Sequence, residues 1–426
     1  MREIDTLIRS LENGEYDAHL KDIYIDKNAI KTQVPRYIQA LKNFSALFGT
    51  GPVCIFSAPG RSEIGGNHTD HQHGHVLAAS IQLDAIAVVR PTTEKKIRFQ
   101  SEGYELVEVP LEVMEPIIEE YGSVSSLVKG VLSGFKKQGY KIGGFEAYIT
   151  SDVLIGAGLS SSAAFETIIG TILSGLYNDS AISPIEIAKI GQYAENVYFG
   201  KPCGLMDQMA CSVGSLVHID FKDPENPDVE RIDFSLSDVK YCLCITDTKG
   251  SHANLTADYA AIPLEMGQVA TLLGKDVLGD LSPEGIYSNL VKIREELGDR
   301  AALRAIHFFE ENQRAISEAE ALKTKDFKRF LQLVKESGDS SFKYLQNVYT
   351  NQDVRHQNIS IALAYSDHLL NSSGVSRVHG GGFAGTIQAF VPLSQIAQYK
   401  EGMDSIFGKD ACQALHIRKY GGILVI

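Results

Sequence analysis

Residues 154–166 read Leu-Ile-Gly-Ala-Gly-Leu-Ser-Ser-Ser-Ala-Ala-Phe-Glu, a run of small side chains that lets a backbone close around phosphate. Before it, apolar Phe145, Ala147 and Ile149 alternate with Glu146 and Tyr148, as in a half-buried strand. After it, Ala163, Ala164, Phe165, Ile168, Ile169 and Leu173 fall at helical spacing. The loop is therefore expected at a helix N-terminus, where unpaired N–H groups and the positive end of the helix dipole attract anions. Its candidate phosphate-holding residues are Gly156, Ala157, Gly158, Leu159, Ser160, Ser161, Ser162 and Ala163. Two commoner loops do not fit. No Gly-Lys pair is followed by Ser or Thr, and Gly156-x-Gly158 has no third glycine at dinucleotide spacing. Taken alone, a serine-capped strand-to-helix connection is the simpler reading.

Three other segments carry polar or glycine-rich chemistry. Residues 58–75, Ala-Pro-Gly-Arg-Ser-Glu-Ile-Gly-Gly-Asn-His-Thr-Asp-His-Gln-His-Gly-His, place a dense ionisable cluster after a strand. Histidines 68, 71, 73 and 75 lack the closed ligand set of a structural zinc site, and solvated loop histidines are the plainer expectation. Residues 195–208 set Asp207 in a mostly apolar segment. A carboxylate buried there without an arginine or hydrogen-bond donors would take up a proton, so a base at this position requires a partner. A turn or capping aspartate after Gly204 is the alternative. Residues 377–386, Arg-Val-His-Gly-Gly-Gly-Phe-Ala-Gly-Thr, form a second glycine-rich loop, by itself readable as a hairpin turn.

The elements that must position these residues are legible from periodicity. Residues 1–47 read as helical, with Ile38, Leu41, Phe44 and Leu47 at helical spacing, and strands are expected at 53–58 and 76–90. Ser183, Pro184, Glu186 and Gly200 mark the start and stop of a helix over 183–199. Beyond about residue 215 come a strand at 241–246, helical stretches at 254–274, 284–296, 300–323 and 325–347, and strands at 386–391 and 422–426. The division is expected as a 1–44 helical extension, an N-terminal domain over 45–215 and a C-terminal domain over 216–426.

Composition narrows the function classes. A chain of 426 residues, 44% hydrophobic and 22% charged, is that of a globular protein, and a formal charge of −13 argues against a nucleic-acid partner. No apolar run is long enough to span a bilayer, and the charged N-terminus leads into no signal-like stretch, so a cytoplasmic protein with a small-molecule substrate is expected. The six cysteines read as buried reduced thiols.

In order and spacing, the blocks at Gly60–Asp70, Gly156–Ala164, Gly200–Gln208 and Gly380–Gly385 resemble the motifs of the GHMP small-molecule kinase superfamily, and of the galactokinases within it. The resemblance implies an α+β, two-domain GHMP kinase fold. Its N-terminal domain would be ribosomal protein S5 domain 2-like, its C-terminal domain ferredoxin-like, and the active site would lie in the cleft between them. It further implies ATP with Mg²⁺, and phosphorylation of the anomeric hydroxyl of a sugar. By motif position, Asp207 would take the proton, Arg61 would hold Asp207 ionised, Ser161 and Glu195 would bind Mg²⁺, and Asn67, His68, Asp70, Gly204 and Tyr259 would line the sugar pocket.

Asn67 stands where galactokinases carry a glutamate, Glu63 where they carry asparagine, and His71-Gln72-His73 replaces Tyr-Asn-Gly. Leu154 replaces a proline, a change expected to act on loop stiffness. If Asn67 reads a sugar hydroxyl, its amide would tolerate an anionic substituent that a carboxylate repels, and Asn67→Glu would favour neutral galactose. The substrate is accordingly expected to be galactose or a relative such as galacturonate, arabinose or N-acetylgalactosamine. A catalytically silent sugar and ATP sensor is the alternative.

Overall fold

The computed structural model describes every residue except 26–27, 113–114, 155–157 and 252–254. Among the described residues, the larger sheet has nine strands. Its spine is formed by two long antiparallel strands, Pro52–Gly65 and His75–Thr92, followed outward by Gly144–Ser151, Lys96–Ser101 and Leu106–Pro110. One pair in it, Lys96–Ser101 with Gly144–Ser151, is parallel. The smaller sheet is antiparallel, in the order Val375–His379, Thr386–Pro392, Tyr241–Asp247, Cys412–Leu415.

Alternation along the first long strand sends neighbouring side chains to opposite faces. Cys54, Phe56 and Ala58 pack against the helices Val124–Lys137, Ser161–Tyr177 and Pro184–Tyr193. Val53 and Ile55 pack against Ile4–Glu12, Asp17–Tyr24 and Ala29–Phe48. The strand Gly144–Ser151 is thus covered on both faces rather than half-buried. Tyr148 lies under the N-terminal helices, and the buried Glu146 is paired with Arg90 and Arg98. The N-terminal stripe runs through Tyr37, Ala40, Leu41 and Phe44, while Leu47 is exposed. Each fully buried Leu or Phe side chain contributes about 1.5–3 kcal/mol, enough to dock these helices firmly.

The larger sheet also draws in later chain. Leu216–Asp220 pairs with His75–Ala79, Asp228–Ile232 pairs with Leu216–Asp220, and Ile423–Leu424 returns to Phe56 and Ser57. The larger sheet therefore takes strands from beyond residue 215 as well as the strand Ile423–Leu424. Helices Asp299–Lys323 and Phe327–Ser340 pack with the smaller sheet through Leu243, Ile245, Phe330, Leu333 and Phe390. All six cysteines are free, five of them buried. No helix among the described residues is long and apolar enough to cross a membrane.

Candidate active site

The strand Pro52–Gly65 carries two register shifts, between Pro59 and Arg61 and between Glu63 and Gly65. Irregularities of this kind re-aim side chains, and Arg61 lies beside the first of them. Its guanidinium forms a fork with Asp207, Nε donating to Oδ1 at 2.7 Å and Nη2 to Oδ2 at 2.8 Å. Asp207 opens the helix Met206–Val213, and its side chain is 32% exposed whereas that of Arg61 is 9% exposed. Burial alone would push the Asp207 carboxyl up. The charge of Arg61, with hydrogen bonds from Arg61 and Ser160, outweighs burial and holds it below the ordinary carboxylate range.

The strand and helix expected to flank the candidate phosphate-holding segment are Gly144–Ser151 before it and Ser161–Tyr177 after it. Gly156 and Ala157 lie outside the described residues. Gly158 has φ 66°, which strains any other residue, and a methyl group there would crowd His379 Nδ1 at 3.3 Å and Thr386 Oγ1 at 3.4 Å. Ser160 stands at the N-cap position in the left-handed region at φ 55°, a costly conformation for a non-glycine residue, and its hydroxyl donates to Asp207 Oδ2 instead of capping the helix. The carbonyl of Gly158 accepts from Arg61 Nη1, and that of Leu159 accepts from Arg61 N–H at 3.1 Å. Gly158, Leu159 and Ser160 form one hydrogen-bonded unit with the Arg61–Asp207 pair.

Glu195 sits in a π-helical turn, Ala194–Phe199, that continues the helix Pro184–Tyr193, whose start Ser183 caps by accepting from the Glu186 N–H at 3.1 Å. Wide turns of this type often mark functional positions. Glu195 accepts from Lys201 Nζ at 2.9 Å, Gln208 Nε2 at 2.8 Å and Ser162 Oγ at 3.4 Å. The hydroxyl brought to Glu195 is thus that of Ser162, one residue after the expected Ser161. Buried Glu166 shares the amide of Gln208 at 3.0 Å, and burial together with Glu195 pushes its carboxyl up. Sequence reasoning missed Lys201 and Gln208, although both lie within the 195–208 segment.

The Asp70 carboxylate lies against Gly204, where an added methyl group would fall on it. Burial pushes the Asp70 carboxyl up, with His68 opposing and Asp207 adding to the shift. His68 donates through Nε2 to Gly381 O at 3.3 Å, and its ring meets that of His71 at 5.7 Å. These two histidines are partly enclosed rather than solvated. Burial holds His68 below the ordinary histidine range, and burial followed by the charge of His68 pushes His71 down to about 3. Among the described residues, no group of three or more His, Cys, Asp or Glu is arranged to hold a metal.

Tyr259, on the helix Thr256–Leu272, donates to Gly382 O at 2.9 Å and stands edge-on to Phe383 at 5.3 Å. It therefore supports the second glycine loop. Asn67 departs most from expectation, being fully buried. Its Nδ2 donates to Glu63 Oε1 at 3.0 Å and Gly380 O at 2.8 Å, and its Oδ1 accepts from Asn347 at 2.9 Å and Ser341 at 3.3 Å. Its backbone is also engaged, by Glu311 at 3.3 Å and by His307 at 3.0 Å. Glu63 in turn accepts from buried Arg377 at 2.9 Å. With every polar atom committed to protein partners, Asn67 ties the first motif to the third instead of presenting an edge to a ligand.

The residues present fit the groups that the sequence resemblance implies. Gly158 beside the N-terminus of the helix Ser161–Tyr177 suits a nucleotide phosphate, and the Ser162 hydroxyl beside the Glu195 carboxylate supplies hard oxygens of the kind Mg²⁺ takes while keeping several waters.

Two family models match the chain, the GHMP kinases N terminal domain over residues 126–215 and the galactokinase galactose-binding signature over residues 42–91. Galactokinase of Streptomyces coelicolor is 28% identical over 375 residues, covering 88% of this chain and 93% of the relative. Galactokinase of Lactobacillus helveticus is 29% identical over 384 residues, covering 87% and 93%. The fold is similar to that of Lactococcus lactis galactokinase complexed with galactose, with TM-score 0.77, 24% identity and coverage of 91% of this chain and 99% of that one. Methanococcus jannaschii mevalonate kinase has TM-score 0.60 at 15% identity, covering 86% and 99%.

Proposed function

The chain belongs to the GHMP kinase superfamily, and from that premise we propose that it transfers a phosphoryl group from ATP to the anomeric hydroxyl of galactose or a closely related sugar. The observation that carries the reading is the Arg61–Asp207 fork, hydrogen-bonded to Gly158 and Ser160, with Asp207 close enough to Asp70 for its charge to be felt there. A silent sensor has no need of an ionised carboxylate held by an arginine at that point. We read the protein as cytoplasmic.

Asp207, kept ionised by Arg61, accepts the proton of the sugar hydroxyl. Arg61 holds that charge in place, and the loop carbonyls fix Arg61 itself. The N–H groups at the start of Ser161–Tyr177 and the glycine cradle bind and orient phosphate. Asp70, His68 and the backbone at Gly204 position the sugar. When bound, MgATP supplies the phosphoryl group and Mg²⁺ the charge that offsets the phosphate oxygens; Ser162, Ser161 and Glu195 would hold the ion. Proximity and charge placement are the main demands of phosphoryl transfer, and both are met by side chains already locked by their neighbours.

Purified protein with MgATP should release ADP on addition of one or more members of a panel of hexoses, pentoses, uronic acids and amino sugars. Absence of sugar-dependent ADP release across the panel would refute the proposal. Glu195→Gln is expected to raise the Mg²⁺ concentration needed for half-maximal rate and to lower that rate by about tenfold or more. An unchanged Mg²⁺ titration would remove Glu195 from the metal's surroundings.

The direction of the Asp207 shift sets the pH profile. A carboxylate depressed by Arg61 stays ionised until pH falls through its lowered pKa, so kcat/KM should show no acid limb from Asp207 between about pH 5 and pH 8. Asp70 is shifted the opposite way. An acid limb in that window that Asp70→Asn leaves in place would contradict the assignment of Asp207 as an ionised base.

A further inference from the structure

The helix Ala29–Phe48 is one of the N-terminal helices that cover the larger sheet. Two of its side chains reach Asp152, the residue at which the strand Gly144–Ser151 leaves the sheet for the phosphate loop. Arg36 Nη1 lies 2.9 Å from Asp152 Oδ2, and Gln33 Nε2 donates to the same oxygen at 3.3 Å. Arg36 Nη2 donates to Thr150 O at 3.1 Å and to Asp84 O at 2.8 Å, and the Asp152 N–H donates to Asp84 O at 2.9 Å. Arg36 is not free to follow a displaced Asp152. Its Nη1 also donates at 2.7 Å to the carboxylate of Asp84, which is fully buried and further fixed by Tyr24 and Arg418, each at 2.8 Å.

The far end of the phosphate loop is held by Arg61 through the carbonyls of Gly158 and Leu159. The described residues on either side of Gly156 are thus held, Thr150 and Asp152 by the N-terminal helix and Gly158 and Leu159 by Arg61. A guanidinium that bridges two carboxylates and two carbonyls is a rigid fork, not a loose surface ion pair.

We infer that Arg36 and Asp152 are positioning residues for nucleotide binding, so that the N-terminal helices brace the phosphate loop as well as bury the sheet. This rests on the reading of residues 154–163 as the ATP phosphate site. The brace acts through backbone placement, so its loss should weaken nucleotide binding while leaving the sugar side of the cleft intact. A small misplacement of binding groups is costly in this way even when no ligand contact is deleted.

The test is calorimetric titration of the full chain with MgATP, alongside melting temperature and the KM for sugar. Asp152→Ala is expected to raise the MgATP Kd about 3- to 20-fold, with the sugar KM within about twofold and the melting temperature within about 3 °C of the unsubstituted protein. Arg36→Lys keeps the charge but cannot bridge the same four oxygens, and should shift Kd in the same direction. Asn43→Ala is the control. It removes a 2.8 Å bond from the same helix to Tyr148 on the same strand without touching Asp152, and should leave Kd unchanged. An unchanged Kd in both Asp152→Ala and Arg36→Lys, or an equal rise in Asn43→Ala, would overturn the brace while leaving the kinase reading standing. Failure of the unsubstituted chain to bind MgATP would overturn the nucleotide reading, and the brace with it.

Discussion

Replacing Asp207 with asparagine is expected to lower kcat by about 10²- to 10⁴-fold while the Kd for sugar moves by no more than about threefold. Asparagine keeps the shape and one carbonyl acceptor for Arg61, but its amide cannot take a proton from the sugar hydroxyl. The split between rate and binding is the informative part, because a residue that only shaped the pocket would lose both together. Melting temperature must accompany the kinetics, since Arg61 is nearly buried and loses its counter-charge. Turnover within a few-fold of the unsubstituted enzyme would show that Asp207 is not the base.

The second large effect is one of stability. Asn67→Glu would place a second carboxylate beside Glu63 and opposite the carbonyl of Gly380, where the amide now donates at 3.0 Å and 2.8 Å. Two carboxylates in a buried site cannot both stay ionised, and one must be protonated or the loops must part. A destabilisation of about 3–5 kcal/mol is expected in chemical denaturation, with loss of activity toward every sugar alike. That expectation reverses the one drawn from motif position, in which glutamate would sharpen selectivity for neutral galactose. A stable Asn67→Glu protein with an altered ratio of galactose to galacturonate turnover would show that residue 67 faces the sugar after all.

The difference between those two expectations shows what was legible in the chain. Arg61 and Asp207 lie 146 positions apart, yet the need of a buried carboxylate for a cationic partner and the motif spacing together foretold their pairing. The helix at 183–199 was equally plain, because Ser183, Pro184 and Gly200 act locally. The surroundings of Asn67 are not legible in the sequence, because its partners His307, Glu311, Ser341 and Asn347 follow it by 240 to 280 residues and carry no periodic signal that points back. Strand burial failed for a similar reason. The alternation around Glu146 and Tyr148 suggests a solvated face, but the cover comes from helices at the other end of the chain, and Glu146 is neutralised by Arg90 and Arg98. Ser162 rather than Ser161 at Glu195 is a matter of helix phase, which one residue of sequence offset cannot resolve.

The phosphorylated product is the most direct witness to the central claim. With MgATP and galactose, or the best sugar of the panel, phosphorus NMR of the reaction mixture should show ADP and a sugar phosphate whose phosphorus couples to the anomeric proton, and Asp207→Asn should give no such signal under the same conditions. A phosphate on any other carbon, or consumption of ATP without a phosphorylated sugar, would contradict the assignment of this chain as a sugar 1-kinase.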